Sequence, residues 1–314
     1  MKYILGSRGS ALALAQVELF SNAFLAAHSE DELELLVVKT TGDKKQETPE
    51  AAISDKREWI HELELGVVEG TLDIALHSGK DVPCDIHEET VLVPVLSREN
   101  PNDLFIGKFC SDRGRRVLFS ELEEGAVVGT ASLRRQAQVK RLRGDLRLID
   151  VRGNVQTRVK KLDDGNMELG GIILAAAGVH RMGSELVVKG EVFSADQMLP
   201  AVNQGMLCVQ VRRDRLALID QLGTLAPERD TACFFAERAV AKILEGDCHS
   251  AVSIFASAVE QNNEVSLRAE VYDQSSLRTL RASGSGVLQE AEEIGRRVGE
   301  QLLSQGATEL LRPE

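Results

Sequence analysis

The sequence predicts an α/β protein of two mostly parallel-sheet units followed by a small C-terminal α+β domain. Three observations predict it. Short apolar segments alternate with helical patterns from the first residues, a second run of the same alternation begins after a Pro/Asn/Asp cluster around Pro101, and the order of elements changes after about Leu225.

In the first run, residues 2–5, 34–39 and 72–76 read as strands, and 11–28 and 59–68 as helices, which is the rhythm of β-α-β units. The segment Arg98-Glu99-Asn100-Pro101-Asn102-Asp103 reads as a crossover linker. Strands near 126–129, 147–151 and 171–175, with helices between them, make the second run, and a further strand at 206–211 precedes a polar break. Beyond it come a helix at 228–244, β-like stretches at 252–258, 265–272 and 279–283, and a helix at 288–303. Strands grouped between flanking helices predict a small α+β domain. Ser283-Gly284-Ser285-Gly286 reads as a turn. No internal repeat, low-complexity tract or heptad seam is visible.

With 314 residues and 43% hydrophobic content, the chain can bury several cores; at roughly 100–150 residues per domain this is about two or three domains. No apolar run reaches the roughly 18–20 residues that span a bilayer. The opening Met1-Lys2-Tyr3-Ile4-Leu5-Gly6 is too soon broken by glycine to be a signal segment, so the chain reads as cytoplasmic, with no membrane partner. Cys84, Cys110, Cys208, Cys233 and Cys248 are scattered without a C-x-x-C pair, which points to free thiols and to no metal site. A net charge of -12 argues against a nucleic-acid partner, because phosphate binding needs a basic face. Any anionic ligand must then meet a local cluster of cations.

Such a cluster is predicted where open α/β sheets bind ligands, beyond the carboxyl ends of strands. Arg8 follows the first strand, Lys80 and Asp81 follow 73–78, Arg134 and Arg135 follow 128–132, and Arg152 follows 148–151. Ser10 and Ser132 stand at helix N-caps, where free N–H groups already favour an anion. Arginine adds a planar fork that matches carboxylate. The pattern as a whole predicts a pocket for a ligand with several carboxylates or phosphates, whereas any one of these arginines taken singly reads rather as an ordinary surface or salt-bridging residue. The chain has neither G-x-x-x-x-G-K-[ST] nor G-x-G-x-x-G, so nucleotide binding has no support. Asp81 is the one carboxylate in the basic set, open to two readings: a structural ion-pair partner, or a group that stabilises a cationic intermediate. His77, one step away, reads as packed. Cys248, in Leu244-Glu245-Gly246-Asp247-Cys248-His249, stands past a helix end capped by Gly246, where an accessible thiol next to His249 is either reactive or inert.

In order, Gly6-Ser7-Arg8-Gly9-Ser10-Ala11-Leu12-Ala13, Thr41-Gly42-Asp43, His77-Ser78-Gly79-Lys80-Asp81-Val82-Pro83, Gly129-Thr130-Ala131-Ser132-Leu133-Arg134-Arg135-Gln136, Arg152-Gly153-Asn154-Val155-Gln156-Thr157-Arg158, Leu199-Pro200-Ala201-Val202-Asn203-Gln204-Gly205 and Glu237-Arg238 through Cys248 resemble the porphobilinogen deaminase family over nearly the whole chain. The resemblance implies two doubly wound domains like type II periplasmic binding proteins, 1–98 with 199–222 and 103–196, and a third domain, 226–314. It implies a transferase of tetrapyrrole and haem biosynthesis that joins four porphobilinogen molecules into hydroxymethylbilane with loss of ammonia. The chain would grow on a dipyrromethane cofactor held by thioether to Cys248, and the protein would be a monomer. Asp81 would be catalytic, working on pyrrole N–H groups. Arg8, Ser10, Lys80, Ser132, Arg134, Arg135, Arg152 and Arg158 match positions that bind carboxylates of cofactor and substrate; Arg181 and Arg212 match less closely.

The chain departs from the family where a glycine-rich lid is usual: it has Ser54-Asp55-Lys56-Arg57-Glu58-Trp59, with Lys56 and Trp59 as the lid residues, and fewer glycines predict a stiffer lid. Asn203 and Asp247 stand where glycine is usual, and His249-Ser250-Ala251 replaces a segment that commonly contains proline. These departures keep two other readings open: a catalytically degenerate paralogue that binds anions, and an unrelated cysteine-dependent transferase or hydrolase.

Overall fold

The computed structural model describes residues 1–46, 57–165, 167–183, 190–244, 251–259, 263–273 and 278–311. The chain runs through β1 (Lys2–Ser7), α1 (Ala11–Ala27), β2 (Glu32–Val37), α2 (Thr41–Gln46), α3 (Arg57–Val68), β3 (Ile74–Ser78) and β4 (Thr90–Val95), then crosses to β5 (Asp103–Gly107). A small hairpin, β6 (Phe109–Cys110) and β7 (Arg115–Arg116), leads into β8 (Val127–Gly129), α4 (Leu133–Leu142), β9 (Arg147–Ile149), α5 (Val155–Asp163), β10 (Leu169–Ala175), α6 (Ala176–Arg181) and β11 (Glu191–Val192). The chain then crosses back into β12 (Leu207–Arg212) and α7 (Leu216–Gly223). It ends with α8 (Glu228–Ile243), β13 (Val252–Val259), β14 (Glu264–Tyr272), β15 (Thr279–Val287), α9 (Ala291–Ser304) and α10 (Ala307–Leu311).

The first sheet has the order β2-β1-β3-β12-β4 and the second β11-β5-β10-β8-β9. In each, three parallel strands are followed by an antiparallel strand that arrives by a crossover from the other unit, and then by an edge strand antiparallel to that one. The second order is the first read backwards, so a duplication invisible in the sequence is present in the topology. The fold is two doubly wound α/β units with a small α+β unit after them.

Alternation along the strands explains why both faces of each sheet are covered. Leu104 and Ile106 of β5 and Ile172 and Leu174 of β10 join one core with Val159, Leu162 and Val179. The intervening Phe105 and Ile173 join another with Phe119, Val139, Phe193 and Met198. Residues i and i+2 share a face, and a parallel sheet is stable only with helices on both. In the third unit β13, β14 and β15 form an antiparallel sheet whose buried Val265, Leu267, Ala269 and Val271 pack with Val240, Ile294, Val298 and Leu302 from α8 and α9. The same core takes in Ile60, Val82, Met206 and Cys208, which seats the third unit against the first.

Residues 283–286, predicted to be a turn, lie instead within the second half of β15. Gly284 lies directly under α9, where a Cβ would be 3.0 Å from Val298 Cγ2 and 3.1 Å from Ile294 Cγ2, so small residues serve helix-to-sheet approach rather than chain reversal. Asp103, read as linker, is the first residue of β5. The two crossovers run side by side. Glu99 N–H donates to Gly205 O (3.1 Å), Arg98 Nε to Gln204 O (2.9 Å) and Gln204 Nε2 to Pro101 O (2.6 Å). Gly205 adopts φ +88°, and any Cβ there would lie 2.2 Å from Glu99 O, so no other residue allows this approach.

Candidate active site

Parallel pairing of β1 with β3 brings their carboxyl ends out side by side, with Gly6 opposite Ala75. Arg8 leaves one end, and the short 3-10 turn Gly79–Asp81 leaves the other. Gln16 of α1 donates to Ser78 Oγ at 3.0 Å and ties the helix to that turn. Ser10 caps α1, accepting from Ala13 N–H at 3.2 Å. The second unit contributes two capped helix starts: Ser132 accepts from Arg135 N–H (3.5 Å) at α4, and Asn154 from Thr157 N–H (2.8 Å) at α5. The units approach each other where a Cβ on Gly178 of α6 would lie 3.7 Å from Leu12 of α1.

These ends surround a cleft of mostly positive charge. Lys80 senses Asp81, Arg135, Asp103 and Arg134, while Arg158 senses Arg135, Asp81 and Arg152. Burial lowers the Lys80 pKa to about 8 against the opposing pull of Asp81. Burial likewise lowers Arg158 to about 10, with Arg135 adding to the effect. The half-buried Asp81 carboxylate accepts no hydrogen bond from any described residue. Arg158 Nε donates to Gly153 O (2.6 Å), and the exposed Arg152 sits 3.6 Å from Asp150.

Arg134 and Arg135 differ from the others, because both are buried and already paired. Arg134 Nη1 lies 2.7 Å from Asp103 and donates to Leu199 O (2.7 Å); Arg135 Nε and Nη2 lie 3.0 and 2.8 Å from Asp103. Burial alone would raise the Asp103 carboxyl, but the two guanidiniums outweigh it and hold it well below the usual range. Two cations on one carboxylate leave a net positive charge, so this triad forms a fixed cationic wall behind Lys80.

Arg181 stands apart at the crossovers, where its Nη2 donates to Gly205 O (2.6 Å) and burial lowers its pKa to about 10. Arg212 is not brought to the cleft. It ends β12 opposite Thr90, whereas Leu207 at the start of β12 pairs with Ser78. Five residues at ~3.3 Å each place it on the far edge of the sheet, where it pairs with Asp214 (2.6 Å). His77 is buried with its pKa lowered to about 4 by desolvation, so it is neutral and packed. Cys208 and Cys233 are buried thiols pushed up to about 12 by desolvation. Trp59, on α3, stacks on Arg8 with the guanidinium carbon 4.3 Å from its ring centroid. Cys248 and Lys56 lie outside the described residues, as do Asp247 and His249.

Several residues that shape the site carried no role in the sequence reading. Asp103 was hidden in a Pro/Asn linker signal. Asp43 sat in a motif with no partner visible. Glu237, fully buried on α8, holds Arg98 (2.7 Å) and accepts from Ala256 N–H (2.8 Å) and Asn203 N–H (2.5 Å). Asn203 itself takes φ +51°, which asparagine tolerates, and with its side-chain amide oriented so that nitrogen rather than oxygen faces the two acceptors it donates to Glu237 Oε2 (3.1 Å) and Phe234 O (3.2 Å). The departure from glycine is therefore accommodated and gains two hydrogen bonds.

Comparison with known proteins gives this geometry a family. A family model described as porphobilinogen deaminase, dipyromethane cofactor binding domain, matches residues 3–220, and a second, porphobilinogen deaminase, C-terminal domain, matches 231–304. A protein named porphobilinogen deaminase from Xanthomonas axonopodis pv. citri is 38% identical, covering 98% of this chain and 97% of its own. Relatives of the same name from Trichlorobacter lovleyi and Alkaliphilus metalliredigens are 37% and 34% identical, each over 98% of this chain and 95% and 94% of theirs. Among solved structures, the periplasmic VFT2 domain of Bordetella pertussis BvgS overlays at TM-score 0.40 with 11% identity, covering 72% of this chain and 86% of that one. With family models spanning both the cleft and the C-terminal unit, and full-length relatives above 30% identity, the chain belongs to the porphobilinogen deaminase family.

Proposed function

We propose that the cleft joins four porphobilinogen molecules into the linear tetrapyrrole hydroxymethylbilane, releasing ammonia at each addition, on a dipyrromethane held by thioether to Cys248. The observation that carries this reading is Asp81: a carboxylate without a hydrogen-bond donor among the described residues, set among cations of which Lys80 and Arg158 make no ion pair with a described carboxylate, while Arg134 and Arg135 pair with Asp103, Arg8 with Asp43 and the exposed Arg152 with Asp150. A ligand rich in both pyrrole N–H and carboxylates satisfies the two halves of that arrangement at once.

The donor set fits the dipyrromethane. Lys80, Arg152, Arg158 and the free edge of Arg8 supply charge for its carboxylates, the Asp103 triad backs them, and the helix starts at Ser10 and Ser132 add N–H dipoles. When bound, the group supplies the pyrrole carbon to which the next unit is joined. On the substrate side, the protonated aminomethyl group leaves as ammonia with the C–N electron pair and positive charge spreads to the pyrrole nitrogen; the hydrogen replaced at the joined carbon is lost as a proton. Asp81 accepts the N–H hydrogen bond and stabilises that charge. Ser253 Oγ, near the start of β13, donates to Leu199 O (2.9 Å), the same oxygen that takes Arg134, which ties the unit that follows Cys248 in sequence to the arginine wall. Arg181 serves the crossovers, and Arg212 has no part in the cleft. The enzyme works as a cytoplasmic monomer without nucleic-acid or membrane partners; no described helix is long and apolar enough to cross a membrane.

Asp81→Asn tests the assignment. It keeps shape and removes charge, so folding is retained while product formation falls by about 10²-fold or more. Wild-type turnover in that variant removes Asp81 from the mechanism.

A further inference from the structure

Arg8 is held more closely than a surface arginine needs to be. Its Nε and Nη2 both face Asp43, at 3.2 Å and 2.5 Å from Oδ1, so one edge of the guanidinium fork is taken. One of its faces is covered by the Trp59 ring at 4.3 Å. Nη1 makes no hydrogen bond to a described residue, so the Nη1–Nη2 edge stays open. The holders are themselves fixed. Thr40 donates through N–H (3.2 Å) and Oγ1 (2.8 Å) to Asp43 Oδ2, and Glu62 accepts from Thr41 N–H (2.8 Å) and Oγ1 (2.6 Å). Gly42 makes room for the ring, since a Cβ there would lie 2.4 Å from Trp59 Cδ2.

We propose that Asp43 and Trp59 are positioning residues which hold the Arg8 guanidinium with its free edge presented to a ligand carboxylate. The inference rests on the reading of Arg8 as a carboxylate-binding residue. An arginine fork gains affinity when its rotamers are fixed before the ligand arrives, because less freedom is lost on binding. The indole adds cation–π attraction and keeps water off one face of the cation. Asp43 and Trp59 need not touch the ligand; they act through Arg8.

Trp59 is the sole tryptophan in the chain, so its fluorescence reads the contact directly. On purified holoenzyme, Arg8→Met moves the emission maximum by removing the cation from the ring. Asp43→Asn moves it the same way, and the double variant moves it no further. In steady-state assays with porphobilinogen, Asp43→Asn raises KM about tenfold with a smaller change in kcat, and the increment vanishes in the Arg8→Met background. Trp59→Leu also raises KM, and Trp59→Phe, which keeps a ring, recovers most of that loss. Wild-type emission in Asp43→Asn, or equal KM increments with and without Arg8, overturns the proposal. A wild-type protein that does not consume porphobilinogen overturns the functional reading instead, and the emission result still decides whether Asp43 holds Arg8.

Discussion

Lys80 has the most pH-sensitive charge in the cleft. Burial lowers its pKa from 10.5 to about 8, so the ammonium is present below about pH 8 and is lost above it in the free protein. A bound carboxylate favours the charged form, so binding draws in a proton above that pH. Affinity therefore falls as pH rises above about 8, until the lysine of the complex loses its proton as well. Stability moves the other way: the folded state disfavours the charged lysine, so folding gains as pH rises over the same window. A KM–pH profile of wild type against Lys80→Arg checks this. The arginine stays charged and flattens the rise above pH 8; superimposable profiles contradict the role. The place of Lys80 and Asp81 just past a strand end was legible in the sequence, because an apolar run followed by polar residues is a local signal. The pairing of Arg134 and Arg135 with Asp103 was not, since it joins residues about thirty positions apart across a crossover.

At the scale of elements, the third unit depends on how closely α8 and α9 approach. A Cβ on Gly295 would lie 2.3 Å from Ala236 O, and one on Gly299 would lie 2.7 Å from Ile243 Cβ. The first contact is with backbone, so the helices must separate to accept it. Gly295→Ala gains about 1 kcal/mol of helix propensity, yet overpacking costs about 1–3 kcal/mol, so the variant is destabilised by up to about 2 kcal/mol in urea unfolding. A gain in stability would show that the crossing relaxes freely. Helices α1, α3, α8 and α9 were readable from periodicity over long stretches. The 279–283 strand was cut short because Gly and Ser signal turns locally, while their use in β15 is to admit a helix, which only the packed structure reveals. The edge strand β4 carries Pro94 opposite Cys208, and proline obscured it in the sequence.

For the whole molecule, the third unit is tied to both others by buried polar links. Glu237 of α8 joins Arg98 on the first crossover to Ala256 of β13, and burial raises its carboxyl despite the Arg98 partner. Gln138 of α4 donates to Ser253 Oγ of β13 (3.2 Å) and to Leu199 O (3.0 Å) on the second crossover. Arg141 of α4 reaches Glu270 of β14 (2.9 Å). The helix that begins with the arginine wall is thus docked on the domain that carries Cys248. Sequence alternation gave the three units, but the links between them are side-chain contacts over more than a hundred residues, beyond the reach of local patterns.

Intact mass of the purified protein, followed by peptide mapping, decides whether this cleft works around a dipyrromethane bound to Cys248. The expected result is an added mass equal to a dipyrromethane, located on the Cys248 peptide and lost in Cys248→Ala. An unmodified mass from a cell able to make porphobilinogen, or the same adduct on another residue, would contradict it.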